Sequence, residues 1–219
     1  MTDSVATRSK LGAARGGGPN ARLPAESRAR RQNNRRQEVL DAAAACFAGR
    51  GYRATTMREI AAQAGMLPGS IYYHFPSKEE LLLAVYEEGV RRIEAVIDGA
   101  VAAVEGPWAR LEAACAAHLE AILDESDYAR VIIRVLPEDA GEAAAALVAL
   151  RDRYEGRFRA LFQAVPLAAG ADRGALRLLL IGAMNWSQVW YRPGREPPAA
   201  LARTFVRALR PGAEVEAAP

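Results

Sequence analysis

The segment at residues 56–75 constrains the fold of this chain most, because it encodes two short helices separated by a tight turn. Thr56 and Glu59 have the spacing of a capping box, in which each side chain bonds the other residue's backbone amide, and apolar residues follow at helical spacing. Gly65 suits the turn, and Pro68 suits the first turn of the next helix. The pattern predicts a helix-turn-helix.

The second helix of this segment presents a face suited to duplex DNA. If Ile71 points inward, helical geometry turns its neighbours outward or onto the flanks. Serine and tyrosine hydroxyls can donate to phosphates or base edges, and tyrosine carbons can lie against thymine methyl groups. Because the second helix of such a motif enters the major groove, we predict DNA contacts here. The residues predicted to make these contacts are Pro68, Gly69, Ser70, Tyr72 and Tyr73.

Residues beside the motif supply further predicted DNA contacts. Thr55 and Thr56 place hydroxyls and helix N-terminal amides where a phosphate is favoured. Lys78 begins the following helix and is predicted to contact the DNA backbone a second time. Two interpretations stay open for His74, since a residue at that helix end can brace the turn, touch a phosphate, or do both.

Positive charge is concentrated at the N-terminus. Residues 1–36 hold nine Lys or Arg against Asp3 and Glu26, whereas the whole chain holds 29 against 26. Residues 1–32 contain almost no large apolar side chain and cannot offset their ordering entropy by burial, which predicts a flexible basic arm. This arm either attracts an acidic polymer or serves as a solubilising tail. Arg36 and Arg53, closer to the motif, complete the predicted DNA contacts.

Beyond the motif the apolar residues recur at helical spacing, and no stretch shows convincing strand alternation. We therefore predict an all-α fold, with one long helix over about residues 77–103. The segment at residues 176–191 is apolar almost all round, so its second face needs a partner surface. Arg192 stays open between a dimer contact and a phosphate-facing role. The predicted dimer interface consists of Leu179, Ala183, Trp186, Trp190, Leu201, Phe205 and Leu209.

Several functional classes are disfavoured by what the sequence lacks. The longest apolar run, at residues 178–186, falls well short of the roughly 20 residues of a membrane span, and the N-terminus has no signal-peptide core. We therefore expect a cytoplasmic protein. The chain has two histidines and no glycine-rich phosphate loop, nucleophile elbow or metal-ligand cluster, so we expect neither an enzyme nor a bound cofactor.

The helix-turn-helix region resembles the TetR family of bacterial transcriptional regulators. The resemblance covers about 50 residues with the family's spacing throughout, and departs at Leu67, where the family often has a serine or threonine able to cap the second helix. The matching positions are Arg36, Val39, Leu40, Ala43, Phe47, Gly51, Tyr52, Thr55, Thr56, Ile60, Ala61, Ala64, Gly65, Gly69, Ser70, Tyr72, His74, Phe75 and the run at residues 77–82.

This resemblance implies an N-terminal three-helix DNA-binding domain, a connecting fourth helix, and a C-terminal helical domain for effector binding and dimerisation. We accordingly expect the arm at residues 1–32, the DNA-binding domain at 33–93 and the effector domain at 94–219. The partners implied are a palindromic DNA operator, a second copy of the chain and a small effector. Residues 183–194 are similar to a subgroup that includes regulators of fatty-acid and steroid degradation, some of which respond to acyl-CoA thioesters.

Candidates for lining the effector cavity lie throughout the C-terminal half. Core packing is the simpler interpretation for any one of them. Cys115 and His118 are one helical turn apart, but no third ligand is evident, so we predict no metal site. The alternative function is a helical small-ligand-binding module without a DNA role. The cavity candidates are Trp108, Leu111, Cys115, His118, Ile122, Tyr128, Ile132, Tyr154, Phe158, Phe162 and Met184.

Removal of the basic arm tests its role. Deleting residues 1–32 should weaken binding to all DNA sequences and lower the dependence of affinity on salt, by about 0.9 in log–log slope for each phosphate that the shortened protein leaves unneutralised. The slope is measured by titrating DNA at several salt concentrations. An unchanged slope in the truncated protein would show that the arm does not contact DNA phosphates.

Overall fold

A computed structural model of the protein describes residues 25–124 and 126–210. These residues form helices and two short 3-10 turns, at Pro137–Asp139 and Gly141–Ala143, with no strand among them. The all-α prediction is confirmed. The helices are α1 (Ala25–Arg50), α2 (Met57–Gln63), α3 (Pro68–His74), α4 (Lys78–Ala102), α5 (Pro107–Leu123), α6 (Asp127–Arg134), α7 (Ala144–Ala164), α8 (Arg173–Trp190) and α9 (Pro198–Ala208).

Helix α1 begins at Ala25, so the prediction of a flexible arm was wrong for residues 25–32. This stretch is rich in Ala, Arg and Gln, which are good helix formers, and extending an existing helix costs far less than nucleating one. It therefore needs no burial of its own to continue the helix. The rest of the predicted arm, residues 1–24, lies outside the described residues, and a deletion confined to it would leave α1 intact.

The predicted helix-turn-helix is formed by α2 and α3. The capping box is present, since the Thr56 hydroxyl accepts from the amide of Glu59 and the Glu59 carboxylate accepts from the amide of Thr56. Gly65 has φ 63°, a left-handed conformation that favours glycine, and the amide of Met66 then reaches back to the carbonyl of Ala61 at 2.8 Å. The turn thereby satisfies the end of α2.

Helix α4 contributes to two separate hydrophobic cores. Its first half, including Leu81 and Val85, packs with α1, α2 and α3 in the first core. Its second half, with Ile93 and Ile97, packs with α5, α7, α8 and α9 in the second core. The first core also takes in Tyr128 and Val131 of α6 and residues from the 3-10 turns, so α6 packs directly on α1. The helices α1, α2 and α3 are thus joined to the C-terminal helices by two elements, α4 and α6.

Helix α9 packs mainly on α5, so the residues of α9 predicted for the dimer interface are at least partly covered within one chain. Leu201 is buried in the second core, and Phe205 and Leu209 are partly buried against it. The apolar stripe of α9 was expected to face a second chain, but the same stripe equally suits the facing surface of α5 within one chain. In the described part of the chain, no helix is both long and apolar enough to cross a membrane.

Candidate DNA-reading face and effector cavity

Helix α3 is anchored through one side chain and exposes the others. Ile71 is fully buried, whereas Tyr73 is 77% exposed and Tyr72 is 53% exposed. Pro68, Gly69 and Ser70 are also exposed, as the sequence predicts. Leu67 is the N-cap residue of α3; it makes no side-chain capping bond and is 77% exposed. The exposed face therefore carries apolar and hydroxyl groups.

Thr55 does not offer its hydroxyl to DNA, which corrects its predicted role. The side chain is 1% exposed, and its hydroxyl donates to the carbonyl of Gly51 at 2.9 Å and lies 3.2 Å from that of Cys46. It thus pins the loop after α1 to the end of that helix. Thr56 is exposed, but its hydroxyl is engaged with Glu59 in the capping box.

Lys78 is held by the protein rather than presented to a phosphate. Its ammonium donates to the carbonyl of Tyr52 at 3.1 Å and to that of Thr55 at 3.0 Å, and it lies 4.5 Å from the centre of the Tyr52 ring. The Tyr52 hydroxyl donates in turn to Glu79 at 3.0 Å. Lys78 therefore holds the loop before α2 against the start of α4.

The remaining predicted DNA contacts also have partners within the chain. The guanidinium of Arg36 lies over the Phe75 ring, 4.9 Å from its centre, beside the C-terminal end of α3. Arg53 forms an ion pair with Asp139 at 2.9 Å, yet its side chain stays largely exposed. His74 is half-buried and packs edge-on against Tyr73. Arg36 thus stacks at the C-terminal end of α3, while Arg53 pairs with the 3-10 turn at Pro137–Asp139.

A cavity of about 360 Å³ opens between the helices α4, α5, α6, α7 and α8. Most of its wall is apolar and consists of isoleucine and valine side chains from α4 to α8. The polar part of the wall comes from α5, α7 and α8. The cavity is lined by Tyr86, Val90, Ile93, His118, Ile122, Ile132, Ile133, Val148, Arg151, Asp152, Tyr154, Glu155, Ile181 and Asn185.

A hydrogen-bonded chain centred on the buried His118 crosses one side of the cavity. Nε2 of His118 lies 3.1 Å from Oδ1 of Asn185, and Nδ1 lies 2.5 Å from the hydroxyl of Tyr154. Burial lowers the pKa of His118 to about 4, so the ring is neutral at pH 7. Since Oδ1 can only accept, Nε2 carries the proton and Nδ1 accepts from Tyr154. The Asn185 amide hydrogens remain available to a ligand.

A cation lies in the cavity wall. The guanidinium of Arg151 hydrogen-bonds the hydroxyl of Tyr86, and this opposes the burial that raises the pKa of Tyr86. The hydroxyl itself lies 3.4 Å from the carbonyl of Ile132 on α6. Glu155 lies in the same wall and pairs with Arg177 at 2.8 Å. The cavity thus combines an apolar body with two polar regions, one neutral and one charged.

Only part of the predicted cavity set lines this space. His118, Ile122, Ile132 and Tyr154 do. Charged residues of α7 such as Arg151 were missed because a charged helical position is normally solvated, and nothing in its spacing marks a cavity. Tyr128 belongs to α6, and its hydroxyl contacts Asp41 of α1 instead. The other predicted residues pack in the second core, namely Trp108, Leu111, Cys115, Phe158, Phe162 and Met184.

Four side chains form a polar junction between α1, α4 and α6, which we call the α1–α4–α6 junction: Gln37, Asp41, Arg92 and Tyr128. The Tyr128 hydroxyl donates to Asp41 at 2.7 Å and accepts from Gln37 at 3.1 Å. Arg92 lies 4.1 Å from the centre of the Tyr128 ring and 3.5 Å from Asp41. Burial and the Asp41 carboxylate raise the pKa of Tyr128, so its hydroxyl stays protonated and donates.

Helix α6 carries this junction and the cavity wall together. Ile132, one turn after Tyr128, lines the cavity and packs on Gly89 of α4 so closely that an added Cβ there would lie 2.7 Å from its Cδ1. Helix α6 is therefore in close contact with α4 through Ile132 and with α1 through Tyr128. Neither Gly89 nor Gln37 stood out in the sequence, because both contacts join residues far apart in the chain.

One face of α8 is apolar and exposed. Trp186 is 65% exposed, Leu179 is 64% exposed and Trp190 is exposed too, while Ala183 is half-buried. Leu178 and Val189 extend the same exposed face. The opposite face, with Ile181 and Met184, is buried in the second core. This confirms that α8 has two apolar faces and that one of them has no cover within the described chain.

The neutral, buried His118 predicts a pH-dependent stability. The His118 imidazole binds a proton near pH 6.5 in the unfolded chain but only near pH 4 in the folded chain. Between these values, each unit by which the pH falls lowers the free energy of unfolding by about 1.4 kcal/mol. In urea titrations from pH 7 to pH 4.5, His118→Gln should lose correspondingly less free energy of unfolding than the wild type. Parallel pH profiles of the two proteins would show that His118 is not buried in its neutral form.

Two family models match the chain. Residues 39–85 match the one described as "Bacterial regulatory proteins, tetR family", and residues 104–213 match "Tetracyclin repressor-like, C-terminal domain". The first match contains α2 and α3 with their exposed face. The second contains α5 to α9 and therefore most of the cavity wall.

Curated and solved relatives agree with these matches. HTH-type transcriptional repressor KstR2 of Rhodococcus jostii is 36% identical over 173 residues, which are 74% of this chain and 82% of that protein. KstR2 of Mycobacterium tuberculosis is 44% identical over 101 residues, 46% of this chain and about half (50%) of that relative's length. The crystal structure of AibR in complex with isovaleryl coenzyme A and operator DNA matches with a TM-score of 0.69 and 26% identity, over 81% of this chain and 98% of AibR. The chain belongs to the TetR family of bacterial transcriptional regulators.

Proposed function

We propose that this chain is a ligand-responsive repressor that binds a palindromic operator as a homodimer and is released by a small hydrophobic effector. The observation that carries the proposal is the exposed face of α3. A seven-residue helix that buries only Ile71 and leaves two tyrosines in solvent has no structural reason to expose them. Insertion of that face into a major groove supplies the reason.

Dimerisation through α8 would bring two reading helices to one duplex. The exposed face with Leu179, Trp186 and Trp190 is the kind of contiguous apolar surface that marks a protein interface. A two-fold interface makes the same contacts from both chains and places the two α3 helices on a palindrome. In this arrangement the half-sites lie one helical turn apart, about 34 Å centre to centre.

The cavity supports a compact apolar effector group with one polar feature. Its volume of about 360 Å³ lies near the lower end of the roughly 300–1,000 Å³ of ligand pockets. An acyl group fits this volume, and the coenzyme portion of a thioester would then remain outside. The Asn185 amide would donate to a carbonyl oxygen of the bound group. Because AibR has been crystallised with isovaleryl coenzyme A and operator DNA, acyl-CoA thioesters are the first class to test.

Release would proceed through α6. An effector in the cavity contacts Ile132, whose side chain already touches Gly89, so α6 must shift relative to α4. The shift would strain the Tyr128 hydrogen bonds to α1 and change the separation of the two α3 helices. A change in that separation favours release from a site with fixed half-site spacing.

An electrophoretic mobility shift on the DNA flanking the gene, backed by selection from a random duplex library, tests the proposal. A sequence-specific shift that one acyl-CoA thioester releases would support both the repressor and its effector class. A specific shift that no thioester releases would keep the regulator and discard the thioester. If neither DNA gives a sequence-specific shift, the chain is better described as a ligand-binding module without a DNA role.

The proposed dimer is tested by Trp186→Glu. A carboxylate at the centre of an apolar interface must be desolvated without a partner, so the dimer should weaken at least 100-fold. Sedimentation equilibrium measures the change. Leu136→Glu is the matched control, because it places a carboxylate at an exposed leucine outside α8 and should leave the dimer intact. If Trp186→Glu dimerises as tightly as the wild type, the dimer interface does not lie on this face of α8.

Coupling through α6 is tested by Tyr128→Phe. The variant keeps the ring under Arg92 but removes the hydroxyl that joins Asp41 and Gln37. We expect operator and effector each to bind alone with near wild-type affinity, while the fold-change in operator affinity caused by effector falls several-fold. Tyr191→Phe removes a tyrosine hydroxyl that donates to the Glu196 carbonyl, away from the junction, and should preserve that fold-change. Equal fold-changes in both variants would contradict the proposed route.

A further inference from the structure

We propose that Leu67 reads the 5-methyl group of a thymine in the major groove and that this contact sets a base preference of the operator half-site. The inference rests on the proposed function, because it assumes that α3 enters the groove. It concerns a residue that departs from the family's pattern and that has no structural role in the fold described above.

The segment around α3 lacks the side chains that usually discriminate bases by paired hydrogen bonds. Residues 66–76, MLPGSIYYHFP, contain no Arg, Lys, Asn, Gln, Asp or Glu. Arginine or lysine is the usual partner of guanine, asparagine or glutamine of adenine, and a carboxylate of cytosine. None of these pairings is therefore available from α3 or its flanks. Discrimination by this helix must use apolar contacts and single hydrogen bonds from hydroxyls or from His74.

Neighbouring cations do not replace the missing side chains. Arg36 is stacked on Phe75 at the far end of α3, and Lys78 is bonded to two backbone carbonyls behind the motif. Thr55, which also lies nearby in sequence, is buried. These three residues are thus engaged within the protein, and the exposed side chains of α3 and its N-cap are the groups of this helix that can contact bases.

Leu67 is placed where a recognition helix contacts bases. It is the N-cap residue of α3, with φ −66° and ψ 141°, and its side chain is 77% exposed. The N-terminal residues of a recognition helix are those that contact base edges. The only apolar group that a base edge presents in the major groove is the thymine 5-methyl. A leucine there complements thymine and leaves the polar atoms of the other bases unpaired.

Each methyl contact should be measurable. Burial of one methyl-sized apolar group is equivalent to about a fourfold change in affinity. Deoxyuridine pairs as thymine does but lacks the methyl group, so substituting it for thymine removes the proposed contact and leaves the hydrogen-bonding edge of the base intact. The effect should disappear when the protein lacks the Leu67 side chain.

The test begins with full-length protein and a site selected from a random duplex library. Deoxyuridine then replaces each half-site thymine in turn, and the dissociation constant is measured for wild type and for Leu67→Ala. We expect at least one replacement to weaken wild-type binding about fourfold and to leave binding by Leu67→Ala unchanged. Replacements that weaken both proteins equally report contacts made by other residues, such as Tyr73.

Two further variants separate DNA reading from folding. Leu67→Ser supplies a side chain that can cap α3 and carries no methyl group, so it should fold at least as stably as the wild type in thermal unfolding and still lose the deoxyuridine effect. Leu67→Met retains an apolar side chain and should keep the effect. The inference is overturned if the selected half-site has no thymine, or if every deoxyuridine effect persists in Leu67→Ala. If no site is selected at all, the proposed function fails and the inference fails with it.

Discussion

The burial of α4 in two cores is the constraint on which the rest of the structure depends. Leu81 and Val85 fasten its first half to the three helices of the reading motif, and Ile93 and Ile97 fasten its second half among the C-terminal helices. A continuous helix transmits displacement along its axis with little loss, because its backbone hydrogen bonds resist bending. The reading face and the cavity are therefore positioned by one rigid element, and α6 provides the second connection between them.

The reading motif depends on polar groups that never face solvent. A seven-residue helix is marginal in water, so α3 is stabilised by the packing of Ile71 and by the loop and helix ends around it. Thr55 and Lys78 use their hydrogen-bonding capacity on backbone carbonyls at the end of α1 and in the loop before α2. This explains why side chains that look like phosphate contacts are instead the supports of the face that carries Tyr72 and Tyr73.

Cavity and junction illustrate two uses of buried polar groups. His118 is satisfied on both ring nitrogens and stays neutral, so it costs little to bury and keeps a fixed orientation toward Asn185. At the junction, Tyr128 belongs to the first core and joins α6 to α1, while Ile132, one turn later, packs against both cores. The junction and the cavity wall therefore share helix α6, and a displacement of α6 at one would reach the other.

The helices, the capping box at Thr56, the turn at Gly65 and the outward face of α3 follow from the sequence alone, because each depends on residues within one or two turns of one another. The two apolar faces of α8 follow for the same reason. Which neighbour covers an apolar stripe is decided only by tertiary packing, and α9 therefore lies on α5 although its stripe equally suits a second chain. Most of the cavity wall and the α1–α4–α6 junction were beyond sequence reasoning. They join residues such as Gln37 and Tyr128, or His118 and Asn185, whose proximity exists only after the helices have packed. Charge type and periodicity describe a residue's own helix, whereas the partner of a buried polar group is set by the fold.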